Sequence, residues 1–180
     1  KTSTYPSSNQ ILEQFYSPCD GSVIATANGN ITMETVSAQQ VTTDTFTECA
    51  GANITYTPPS GTTQVIYEYA FMFKRSSSST PILSYKLALA GTEVTNFRRT
   101  TRGDEDTEQY QHFKWGFNIG GTANAASGRV ASWTSGKEIT LEVRRYSSSY
   151  PGNLHSTNHW EAGSGVFSMP CVGITAIGAA

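Results

Sequence analysis

The stretch from Val65 to Phe73, Val-Ile-Tyr-Glu-Tyr-Ala-Phe-Met-Phe, limits the folds open to this 180-residue chain more than any other segment. Side chains alternate across a β-strand, so Val65, Tyr67, Tyr69, Phe71 and Phe73 share one face. Ile66, Ala70 and Met72 share the other, with Glu68 as the one charge. A strand apolar on both faces needs two covers. One is the core of its own subunit. No helical period of apolar residues occurs elsewhere to supply the second, so a further sheet edge or another copy of the subunit is expected to provide it.

Period-two apolar runs separated by turn residues predict about ten strands and no helix. After a short apolar patch at 11–16 they fall near residues 22–26, 31–36, 41–47, 53–57, 65–73, 82–89, 93–99, 110–119, 138–146, 154–160 and 166–177. Pro58-Pro59-Ser60-Gly61 fixes an abrupt turn before the long apolar strand, and the serines at 76–79 loop back toward 82–89 as in a hairpin. This spacing predicts an all-β fold, a ten-stranded jelly-roll β-sandwich over residues 11–180 preceded by a polar N-terminal arm at 1–10. Phe113, Trp115 and Phe117 repeat the aromatic theme, and Val172 and Ile174 lie in a closing strand that is apolar on both sides. A threefold axis lined by such strands would bury all of them, so a homotrimer is expected. Its interface candidates are Tyr67, Tyr69, Phe71, Phe73, Phe113, Trp115, Phe117, Val172 and Ile174.

Charged residues make up 14% of the chain, against about 25% in ordinary soluble domains. A net charge of -2 argues against nucleic acid as a partner. No apolar run approaches the roughly 18 residues of a membrane-spanning helix, and the first ten residues lack the apolar centre of a signal peptide, so no membrane partner is expected. Cys19, Cys49 and Cys171 form no Cys-x-x-Cys pair and are odd in number, which predicts buried reduced thiols.

Several clusters invite chemical readings. His155 and His159 have the i, i+4 spacing that chelates zinc on a helix, but in an extended chain they lie about 13 Å apart, so a structural role is expected. Asp104, Glu105, Asp106 and Glu108 lack the spacing of a calcium loop and read as a solvated acidic loop. Arg98, Arg99, Arg102, Arg144 and Arg145 suit an anionic partner through their guanidinium forks, or ion pairs with nearby acids. Tyr146 and Tyr150 beside serines and a Pro-Gly turn, together with Trp133 and Trp160, are a mix that stacks on sugar rings, against core packing for both tryptophans and a plain turn for the tyrosines; Tyr146, Tyr150 and Trp160 are the candidate ligand-binding residues. Asn30-Ile-Thr32 and Asn53-Ile-Thr55 are glycosylation sequons to which no role is given. No nucleophile elbow, phosphate loop or paired catalytic carboxylates occur, so no catalytic residues, metal or cofactor are expected.

The phrases Asn53-Ile-Thr-Tyr-Thr-Pro-Pro-Ser-Gly-Thr-Thr-Gln-Val-Ile-Tyr-Glu-Tyr-Ala-Phe, Gly91-Thr-Glu-Val-Thr-Asn-Phe and Ser127-Gly-Arg-Val-Ala-Ser-Trp, with residues 138–146, resemble virion structural proteins of marine tailed phages. Those proteins carry a trimeric jelly roll similar to the complement C1q and tumour-necrosis-factor head. The resemblance covers most of residues 11–178. It implies that the strands starting at Val65, Tyr110 and Val166 line a trimer axis. It also implies a non-enzymatic protein located in the virion, a capsid decoration, fibre or appendage-tip component. Its partners would be itself, other virion proteins and a host-surface glycan. The alternative is a carbohydrate-binding, lectin-like module.

Overall fold

The computed structural model describes residues 9–76, 80–103, 108–160 and 165–179. Its strands in chain order are β1 (Gln10–Pro18), β2 (Val23–Thr26), β3 (Gly29–Thr32), β4 (Gln40–Val41), β5 (Thr47–Glu48), β6 (Ile54–Tyr56), β7 (Thr62–Arg75) and β8 (Ile82–Leu89). They continue as β9 (Thr92–Glu93), β10 (Arg99–Arg102), β11 (Gln109–Asn118), β12 (Lys137–Arg145), β13 (Gly152–Leu154), β14 (Ser156–Thr157), β15 (Val166–Phe167) and β16 (Cys171–Gly178). Two short 3-10 turns, Thr95–Phe97 and Ala125–Ser127, are the only helical elements among the described residues. The fold is an all-β jelly-roll sandwich.

The first sheet centres on β7. Its one side pairs with β11 from Val65↔Phe117 to Phe73↔Gln109. The other side pairs first with β16, which is backed by β1, and then at Phe73↔Leu154 with β13, which is backed by β4. In the second sheet β8 lies between β10 and β12, with β9 beside the end of β8 and β5 and β6 beside β12. Every pairing between these strands is antiparallel.

The core lies between the two sheets. Val65, Tyr67, Tyr69, Phe71 and Phe73 of β7 face Leu83, Tyr85 and Leu87 of β8 and Ile139, Leu141 and Val143 of β12, all essentially inaccessible to solvent. Rings bridge the layers, with Phe71 6.0 Å and Phe113 4.7 Å from Tyr85 between centroids. Burial of each large side chain contributes about 1.5–3 kcal/mol, so this aromatic ladder dominates the apolar stabilisation of the fold.

This placement corrects the expected interface. Tyr67, Tyr69, Phe71, Phe73, Phe117, Val172 and Ile174 are at most 2% exposed and Phe113 is 8% exposed within a single chain. None of these eight presents surface to another copy. Trp115 is half-buried at the sheet border, where Phe97 meets it edge-on at 5.9 Å. The physical reason is that the second sheet is itself apolar on its inner side and covers the rings completely. The tyrosine hydroxyls are satisfied there too: Tyr67 donates to the Ala52 carbonyl and Tyr69 to the Ala50 carbonyl, each at 2.7 Å.

Other boundaries also moved. No hairpin joins β7 to β8, because β7 already has neighbours on both edges and β8 crosses into the other sheet. The strand expected at 41–47 breaks because Thr42 turns inward. Its hydroxyl donates to the Gly152 carbonyl at 2.9 Å and accepts from the Gly152 N–H at 3.1 Å, so the chain leaves the first sheet and enters the second at β5. The strand expected at 93–99 is interrupted by the turn that tucks Phe97 against Phe113, and the one at 166–177 breaks at Pro170, which has no N–H to give a ladder. Gln10 of the expected polar arm already pairs with Gly178; residues 1–8 lie outside the described residues.

Candidate functional site

The ligand candidates from the sequence do not form one site. Tyr146 and Tyr150 do come together, 5.8 Å apart between ring centroids, across the Ser147–Tyr150 turn that ends β12. Trp160 is 78% exposed and stacks on neither. The two histidines part company. His155 is fully buried with its ring edge-on to Phe71 at 6.0 Å, whereas His159 is exposed and paired with Glu108 at 3.3 Å. Glu108 also accepts from the His159 backbone N–H at 2.6 Å and from the Thr157 hydroxyl, so this carboxylate ties down the segment after β14. Asp104, Glu105 and Asp106 lie outside the described residues.

The arginines divide in a more informative way. Arg145 pairs with Asp44 at 2.7 Å, and Arg98 forks onto Glu93 at 2.8 and 3.2 Å. The Arg98 guanidinium holds the Glu93 carboxyl below the usual carboxylate range. Arg99 lies over the rings of Phe97 and Trp115. Arg144 meets no carboxylate among the described residues. Its guanidinium rests 5.1 Å from the centre of the Phe46 ring, and the Lys86 ammonium rests 4.9 Å from the same ring.

Arg144, Phe46, Lys86, Arg98, Glu93 and Arg99 line one groove of about 480 Å³ on the outer face of the second sheet. Register explains why. Arg144 of β12 sits opposite Ser84 of β8, which sits opposite Thr100 of β10; one row on, Glu142 sits opposite Lys86 and bonds to it at 2.9 Å. Alternation that points Tyr85, Leu87, Leu141 and Val143 inward therefore points Ser84, Lys86, Glu142 and Arg144 outward. Phe46 arrives from the chain just before β5, which pairs with β12 at Val143↔Thr47. The arrangement offers a cationic wall, two hydroxyls 3.4 Å apart and an aromatic shelf whose ring is already covered by cations. It can hold an anion beside hydroxyl-bearing groups.

The outer face of the first sheet has a different character. Tyr16 of β1 and Tyr110 of β11 are 52% and 62% exposed, and they neighbour each other across the strip of small residues Gly173 and Ala70. Half-buried Ile66, Met72 and Ile177 and exposed Ile11 extend this patch. Glu68 sits within it, held by His112 at 3.2 Å and Lys114 at 3.3 Å.

Sequence reasoning missed Phe46, Lys86, Tyr16 and Tyr110. Lys86 and Tyr110 were legible as outward positions of their strands, but Phe46 joins Arg144 only through the long-range pairing of β5 with β12, and Tyr16 meets Tyr110 only across β16 and β7. Trp133 is a core residue, donating from its indole N–H to the Tyr56 carbonyl at 2.9 Å. All three cysteines are free; Cys19 and Cys49 are buried and Cys171 is half-buried on the outer side of β16.

No protein-family model and no curated protein matches the chain. Among solved structures it is similar to a chain of infectious bursal disease virus Gt strain, with 11% identity over 88% of this chain and 50% of that one, at a TM-score of 0.32. A chain of the Gx strain of the same virus gives 13% identity over 88% of this chain and 46% of that one, also at 0.32. The VP2 subviral particle of that virus gives 10% identity over 89% and 47% at 0.30. The chain spans about half the length of the solved chains it matches, and superpositions this loose assign no role.

Proposed function

We propose that this chain is a non-enzymatic structural protein of a virion surface, a capsid decoration, fibre or appendage-tip component that works as a homotrimer and contacts other virion proteins and a host-surface glycan. The observation that carries the reading is the outer face of the first sheet. There Tyr16, Tyr110 and Ile11 remain exposed around half-buried Ile66 and Met72 after the sandwich has closed. An apolar patch on one flat sheet face suits contact with a second copy, and three copies around an axis display their loops together, which raises weak contacts into useful avidity. The resemblance of residues 53–71, 91–97, 127–133 and 138–146 to phage virion proteins points the same way.

Light scattering at micromolar concentration tests the assembly. A trimer is expected for the native chain, and Tyr110→Asp combined with Tyr16→Asp is expected to give folded monomers, because both changes lie outside the core. A native chain that stays monomeric would remove this reading. The alternative, a lectin-like module, is favoured by the paired rings of Tyr146 and Tyr150. A glycan array comparing the native chain with the Tyr146→Ala, Tyr150→Ala double variant separates sugar recognition at that pair from scaffolding.

A further inference from the structure

We infer that the groove between Phe46, Lys86, Arg144, Arg98, Arg99 and the Ser84–Thr100 hydroxyls binds an acidic saccharide bearing carboxylate or sulfate groups. This site is separate from the tyrosine pair and does not depend on trimer assembly. Three observations carry it. First, Arg144 is a cation without an ion-pair partner among the described residues, and its half-buried side chain lines the groove. A guanidinium fork in that position matches the carboxylate or sulfate of a bound ligand. Second, Lys86 and Arg144 both lean on the Phe46 ring, which fixes two positive charges in place before any ligand arrives and reduces the entropy lost on binding. Third, the volume of about 480 Å³ falls within the range of small-ligand sites.

The class of ligand follows from what else lines the groove. A nucleic acid carries one charge per about 1.7 Å of duplex axis, and Glu93 and Glu142 within or beside the groove, with a net charge of -2 on the chain, oppose so dense a polyanion. Arginine clusters do read acidic peptides, but here Lys86 is paired with Glu142 and Arg98 with Glu93, which leaves Arg144 and Arg99 as the groove cations with no carboxylate among the described residues, too few for a run of acidic side chains. A saccharide with sparse charges suits the site better. Its acid groups meet Arg144 and Arg99, and its hydroxyls meet Ser84, Thr100 and the paired carboxylates, which accept hydrogen bonds from sugar hydroxyls.

Isothermal titration of the whole chain with a sulfated or uronic-acid oligosaccharide tests this, against a neutral oligosaccharide of the same length, polyglutamate and single-stranded DNA. The acidic oligosaccharide is expected to bind, to weaken as salt is raised from 50 to about 300 mM, and to lose affinity at least tenfold in Arg144→Gln. Lys86→Gln, which lies at a half-exposed position, is expected to weaken binding several-fold with an unchanged melting curve, so the test survives if Arg144→Gln folds poorly. Tyr146→Ala with Tyr150→Ala is expected to leave this binding unchanged. Absence of binding at millimolar acidic oligosaccharide overturns the proposal, as does affinity equal to that of the native chain in both groove variants. Equal or tighter binding of the neutral sugar, of polyglutamate or of DNA also overturns it.

Discussion

The hydroxyl of Tyr67 donates to the carbonyl of Ala52 at 2.7 Å, deep between the two sheets. That one bond explains how a strand so rich in tyrosine can be interior: the segment Cys49–Ala52 closes one side of the core and presents carbonyls where the phenols end. Tyr69 uses Ala50 in the same way. Tyr67→Phe leaves a buried carbonyl without its donor and should lower stability by about 1–2 kcal/mol. Chemical denaturation measures this, with light scattering expected to show the same oligomeric state as the native chain, since the ring faces no other copy.

A stability dependence on pH should come from His155. It occupies a left-handed backbone conformation at φ 59° between β13 and β14, fully buried, with both ring nitrogens unpartnered among the described residues. Burial pushes its pKa down from 6.5 to about 4. Between those values the unfolded chain binds more protons than the folded one, so folding is favoured above pH 6.5 and loses stability as pH falls toward 4. The loss from this group reaches roughly 3 kcal/mol. Urea denaturation at a series of pH values should show that slope, and His155→Gln should remove most of it.

Thiol reactivity should follow burial. The Cys19 thiol, which donates to the Gly51 carbonyl, is pushed up to about 12, and burial raises Cys49 as well. Only a thiolate attacks readily, so near pH 8 a disulfide reagent should modify Cys171 first and leave Cys19 and Cys49 protected in the folded chain. All three should titrate in denaturant without reductant; a lower count there would reveal a disulfide.

Gly51→Ala should be strongly destabilising. Gly51 has φ 84°, and an added Cβ would lie 2.7 Å from the Cys19 sulfur and 2.9 Å from a Val36 methyl carbon, both in the core. Conformational strain and overpacking together should cost about 2–4 kcal/mol. A thermal melt measures it, and an unchanged midpoint would mean that the Cys19 and Val36 packing yields more freely than a core should.

Local alternation made much of the fold legible in advance. The strand at 82–89 matches β8 at both ends, and β7, β11 and β12 lie within three residues of their expected ends, because period-two burial is a property of each strand alone. The trimer-interface residues were misplaced for the complementary reason. Alternation says that two faces of β7 are apolar but not which neighbour covers each. The candidate groove shows the same division: Lys86 and Arg144 could be read as outward-facing, yet their shared contact with Phe46 could not.

What the amino-acid order determined by itself is therefore the class of the protein, its strand rhythm and the presence of an aromatic surplus on β7, since these depend on side chains a few residues apart. The tertiary structure alone decided that β8 and β12 roof the rings of Tyr67, Tyr69 and Phe71, that Tyr16 and Tyr110 stay outside, and that Arg144 meets no acid among the described residues. Those outcomes rest on pairings between segments tens of residues apart, such as β1 with β16 and β5 with β12, whose register follows from how the whole sandwich closes rather than from any one strand.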